Sequence, residues 1–172
     1  NQESSHNDRE NLLNLHDFMV TGGAELLTAF LNRSEAPRPV ISVVGGGATG
    51  IQFLFEIKQF LDRIRSKADL RLIHSGEHVL EQFPAGFAKY VESRMRDLNI
   101  AFYPETYYCE QQVGKIVLKE KVTGKQFDLP SDLSLLFLGK KQQNTFTANA
   151  FGQVLADQKP LPNIFVAGDC SY

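Results

Sequence analysis

Hydrophobic positions along this chain switch between a helical and a strand period. From Asp17, "DFMVTGGAELLTAFLN" places Phe18, Leu26 and Phe30 at helical spacing, and Asp17 suits the N-cap. Gly22 and Gly23 weaken the first half of that helix, and the prolines of "RSEAPRP" end it. "VISVV" is a short β-branched run that predicts a buried strand. Beyond it, Ile51, Leu54, Phe55, Ile57, Phe60, Leu61 and Ile64 share one wide helical face, which Phe53 widens further. That is more apolar surface than contact with one sheet requires. "DLRLIHS" predicts a second strand. "FAKYVESRMRDL" has Phe87, Val91, Met95 and Leu98 at helical spacing, and "IAFYPE" predicts a third strand.

The period then changes. "TYYCEQQV", "KIVLKEK" and "KQFDLP" are short strand-like runs joined by "VGK" and "VTGK", each with the glycine that a tight reversal favours. They predict an antiparallel meander. "LSLLFLG" follows as another buried strand and, after a loop, "NIFVAGD" as the last. The order strand, helix, strand, helix, strand predicts an α/β fold: a Rossmann-like parallel sheet with helices on both faces and an inserted three-stranded antiparallel meander.

Composition narrows the classes. The chain has 172 residues and a formal net charge of −2, enough for one domain with a substantial core. Without a basic stripe, nucleic acid is excluded as the expected partner. The apolar runs are too short to span a bilayer. Cys109 and Cys170 form no C-x-x-C, so no disulfide framework is expected and the default setting is cytoplasmic. No His, Cys and carboxylate cluster has zinc spacing. Residues 1–16 read as a polar N-terminal segment and 17–172 as the domain. The missing initial Met and the ending "FVAGDCSY" lead us to expect a domain of a larger protein.

The candidate chemistry lies between the first strand and its helix. Gly45, Gly47 and Gly50 match G-x-G-x-x-G. The first glycine permits the turn, the second lets backbone approach a pyrophosphate, and the third lets helix and strand pack closely. N–H groups at the helix start then meet the negative charge. A strand before and a helix after are the context this motif needs. Gly45, Gly46, Gly47, Ala48, Thr49 and Gly50 are therefore the candidate cradle. The motif's closing acid, expected at the end of the second strand, is replaced by His74, with Glu77 three residues later in the loop. A ribose contact and a plain strand-end histidine both remain open for His74, as does the choice between NAD and NADP.

"VVGGGATGIQFLFEI", "HSGEHVLEQFPAGFAKYVESRMRDLNIAFYPET", "LLFLGKKQQN" and "NIFVAGDCSY" together resemble the pyridine nucleotide-disulfide oxidoreductase superfamily, nearest to the type II NADH dehydrogenases. The resemblance covers residues 17–171. It implies an NAD(P)H-binding domain whose FAD domain lies elsewhere in a full-length parent, with a quinone as acceptor. It places Leu138 and Gly139 near the nicotinamide end, together with Gln52, where the dehydrogenases have Glu. It also makes Gly168 and Asp169 the second flavin motif. Asn144 falls near the family's "PN", with Gln143 in place of the proline. The redox dithiol of the disulfide reductase branches is absent, so Cys109 and Cys170 read as structural. No residue is assigned as catalytic acid or base, and no metal site is expected. The parent could lie peripherally on the inner face of a membrane, and a homodimer stays open. The alternative function is a degenerate Rossmann-type interaction module without redox activity. A short-chain dehydrogenase would need Tyr and Lys four residues apart, but Tyr90 is followed by Arg94.

Overall fold

The computed structural model describes residues 12–14, 22–138 and 147–166. Its strands are β1 (Leu12–Asn14), β2 (Val40–Val44), β3 (Asp69–Ile73), β4 (Ala101–Tyr103), β5 (Thr106–Gln112), β6 (Lys115–Glu120), β7 (Gln126–Pro130), β8 (Leu133–Leu136), β9 (Gln153–Ala156) and β10 (Lys159–Phe165). Its helices are α1 (Gly23–Arg33), α2 (Ala48–Arg63) and α3 (Ala85–Asp97). The chain divides into two compact units, residues 1–138 and 139–172.

In the first unit, five parallel strands pair in the order β1-β8-β2-β3-β4. A separate antiparallel sheet, β5-β6-β7, is the expected meander. Its joints turn at Gly114 and Gly124, both with φ of 70°. The Rossmann-like sheet and its insertion are thus as the sequence predicts.

The layers follow from strand alternation. Ile41 of β2 pairs with Leu70 and Leu133, and Val43 with Leu72 and Leu135, so these side chains share one face. They form one cluster with Leu27 of α1, Leu54 and Ile57 of α2 and Val91 and Met95 of α3. Val44 and Ile73 point to the opposite face and cluster with Ile116 and Leu118 of β6. Helices on both faces are therefore corrected for the described residues: the second face is covered by the meander. The physical requirement is the same, because parallel strands need both faces shielded.

Between sheet and meander runs a buried polar chain. Ser42 and Ser131 hydroxyls lie 2.8 Å apart, and Ser134 donates to Gln111 Oε1 at 2.5 Å. Gln111 in turn donates to the Ser131 carbonyl at 3.1 Å. Each of these four buried polar side chains thereby finds a partner, which offsets its desolvation.

The expected helix from Asp17 is described from Gly23; residues 15–21 lie outside the described set. β1 is an element the sequence reading did not include. In the second unit, β9 and β10 form an antiparallel hairpin. The last strand thus begins earlier than "NIFVAGD", and residues 167–172 lie outside the described residues.

Candidate functional site

β2 ends at Val44, and the chain turns at Gly45 with φ of 119°. That conformation favours glycine. A Cβ there would also stand 2.5 Å from the Phe137 carbonyl oxygen, just after β8. At Gly50, in the first turn of α2, a Cβ would collide with the Gly45 carbonyl oxygen. These two glycines let helix and strand close on each other. Gly47, the N-cap of α2, differs: no atom lies within 4 Å of where its Cβ would be. The middle glycine therefore faces open space, and Ala48 and Thr49 beside it are exposed. The N–H groups of a helix's first turn have no intrahelical partner, and no acidic residue occupies the first turn of α2.

Gly46 is buried and pinned on both sides of its peptide. Its N–H donates to His74 Nδ1 at 3.1 Å. Its carbonyl accepts the Leu80 N–H at 2.8 Å. A Cβ on Gly46 would lie 2.7 Å from the His74 ring. His74 follows β3 directly, and its own N–H and carbonyl bond to Tyr103 and Thr106, fixing the backbone that carries the ring. Because Nδ1 accepts from Gly46, the ring is the neutral tautomer with its proton on Nε2. Burial pushes the imidazole below its ordinary pKa and Lys121 adds to this, while the Glu81 carboxylate and a hydrogen bond to the His78 backbone act in the opposite direction.

Glu77, the other residue considered for the ribose, is exposed and lies 3.8 Å from His78. His78 also meets Glu92 of α3 at 3.2 Å. The carboxylate that acts on His74 is instead Glu81, which would also crowd a Cβ on Gly76 beside His74 Nε2. Glu81 lies in an aperiodic loop, so no spacing rule marks it. Phe137 is a second residue missed by the sequence reading. It touches the turn at Gly45 and stacks on Phe53 of α2, with ring centroids 4.9 Å apart and planes 5° from parallel.

The structure thus brings Gly45, Gly46, Gly47, Ala48, Thr49, Gly50 and His74 to one end of β2 and β3. Gln52 is exposed and lines a groove between α1 and α2 of about 470 Å³, with Phe53, Glu56, Phe60 and Leu27. Leu138 is exposed at the end of the first unit. Gly139, Gln143, Asn144, Gly168, Asp169 and Cys170 lie outside the described residues. Cys109 is an exposed free thiol at an irregularity in the β5-β6 pairing. Among the described residues no three His, Cys, Asp or Glu side chains are grouped to hold a metal, and no helix is long and apolar enough to cross a membrane.

The family model for pyridine nucleotide-disulphide oxidoreductases matches residues 24–172. The chain belongs to that family. No curated protein matches it by sequence. Among solved structures it is similar to NDH2 from Plasmodium falciparum in complex with NADH, at 17% identity and a TM-score of 0.67 over 83% of this chain and 36% of that one. It is also similar to thioredoxin reductase from T. acidophilum, at 13% identity and a TM-score of 0.57 over 78% of this chain and 45% of that one. At such identities the likeness is one of fold. This chain spans about a third of the NDH2 chain.

Proposed function

We propose that this chain is the NAD(P)H-binding domain of an FAD-dependent NAD(P)H dehydrogenase. The observation that carries the reading is the contrast within the glycine loop. Gly45 and Gly50 are packed against backbone, while Gly47 between them is open. A ligand's pyrophosphate fits where only a missing Cβ leaves room. Gly47, Ala48 and Thr49 would hold it, through backbone N–H groups and the positive end of α2. Gln52, Leu138 and Gly139 would serve the nicotinamide end, and Gly168 and Asp169 the flavin of the parent.

In that parent, the nicotinamide supplies a hydride that the flavin accepts and passes on, with a quinone as the proposed final acceptor. What this chain contributes is position: a rigid strand–turn–helix corner that fixes the dinucleotide's middle. With His74 in place of a carboxylate, selectivity between NADH and NADPH is expected to be weak, because nothing at that position repels a 2′-phosphate. The parent could act as a homodimer or lie against the inner face of a membrane.

Two observations favour a second reading, an interaction module without redox activity. The Gly46 N–H and carbonyl are both engaged inside the chain, and Glu77 is turned to His78. Anaerobic mixing of the flavin-containing parent with NADH or NADPH separates the two. Bleaching of the flavin band supports the dehydrogenase. A band unchanged by both dinucleotides would leave the interaction module.

A further inference from the structure

His74 stands where a ribose-reading acid is expected, yet its ring is turned to the glycine loop. Its Nδ1 accepts the Gly46 N–H at 3.1 Å, and Gly46 is buried against the ring. Gly46 directly precedes Gly47, the position proposed for the pyrophosphate, and its N–H is the donor that the ring engages. Two charged side chains act on the ring: Glu81 from the loop before α3, and Lys121 from the turn after β6. The His78 ring is engaged with Glu92 instead.

We infer that His74 is a positioning residue of the glycine loop, and that its neutral ring holds the Gly46 N–H in competition with an anionic ligand, so that dinucleotide binding takes up a proton at His74. This rests on the cofactor reading above. The chemistry is a matter of donors and acceptors. Neutral imidazole offers one lone pair, and the Gly46 N–H uses it. Protonated imidazole has none, so Gly46 loses its acceptor and two N–H groups then face one another. A pyrophosphate oxygen relieves that arrangement by accepting from the loop while drawing the imidazolium toward it. Linkage makes the effect reciprocal: if the ligand favours the protonated ring, protonation must favour the ligand. Affinity should therefore rise as pH falls through the histidine range.

The test is calorimetric titration of the chain with NADH and with NADPH, from about pH 8 to about pH 6, in buffers of different ionisation enthalpy. His74→Asn is the control, because its Oδ1 can take the place of Nδ1 as acceptor but does not titrate. The expected result is a wild-type affinity that rises by at most about tenfold per pH unit, with net proton uptake. The Asn variant should show a flat profile and no uptake, whatever its absolute affinity. Coincident profiles would overturn the role of His74 while leaving the cofactor reading intact. Failure of both proteins to bind either dinucleotide at any pH would overturn the cofactor reading, and this inference with it. Nitrogen-15 NMR of the ligand-free wild type gives an independent check. An unprotonated, hydrogen-bonded Nδ1 is expected, and an Nδ1–H tautomer would overturn the inference.

Discussion

One added carbon has opposite consequences at two glycines of the same loop. At Gly50 it meets the Gly45 carbonyl, inside the contact that seats α2 on β2. Gly50→Ala should destabilise the domain by roughly 1–3 kcal/mol or more, the range for overpacking a site with no room to yield, as read by chemical denaturation. At Gly47 it meets nothing, so the fold should keep its thermal midpoint. His74 adds a dependence on pH. Burial lowers its pKa in the folded chain, so the unfolded chain binds the proton more readily. The stability contributed by the neutral ring is full above the ordinary histidine value of about 6.5 and is lost as pH falls toward the lower folded value. Denaturation midpoints should drop across that window in the wild type and drop less in His74→Asn. The three glycines were legible in the sequence because their spacing is local. The Gly46 to His74 bond was not, because it joins residues 28 apart and depends on a ring orientation that no spacing encodes.

The elements were legible wherever a period ran long enough. The wide apolar face of α2 is explained by two kinds of neighbour. Leu54 and Ile57 pack toward the sheet, while Phe53 meets Phe137 and Phe60 lines the groove shared with α1. Phe137 is nearly buried, at 7% exposure, and supports both the helix and the turn at Gly45. Phe137→Ala should cost about 3–5 kcal/mol of stability, the range for deleting a buried aromatic ring, measured by chemical denaturation. A loss under about 1 kcal/mol would show that the loop holds itself without that ring. Strand period alone gave the meander but not the face it covers, since alternation fixes which residues share a side and not what lies over them. β9 was missed because its turn to β10 runs through Asp157 and Gln158, with φ of 50° and 64°. Tight hairpins with both central residues left-handed usually advertise themselves with Asn-Gly or Asp-Gly. Here Gln stands where the glycine would be. β1 has only three residues, too few for any period to register.

At the scale of the whole molecule, family membership covers residues 24–172, and the glycine loop, the meander and the strand after it are all features of one described unit. The fold was readable because a parallel sheet with crossover helices leaves a regular rhythm of apolar runs. The ribose end of the proposed cofactor site was not, since the motif's acid is replaced and loop residues such as Glu81 carry no rhythm. As one domain of the proposed flavoprotein, the isolated chain is expected to purify without flavin; a yellow preparation with a flavin absorption band would contradict the division of labour proposed for it. The central claim, that the open position at Gly47 receives a dinucleotide's pyrophosphate, is tested most directly by titrating the wild-type chain and Gly47→Val with NADH and NADPH by calorimetry. The account predicts that the wild type binds at least one of them and that the folded variant binds neither. A variant that binds as the wild type does, or a wild type that binds neither dinucleotide, would contradict it.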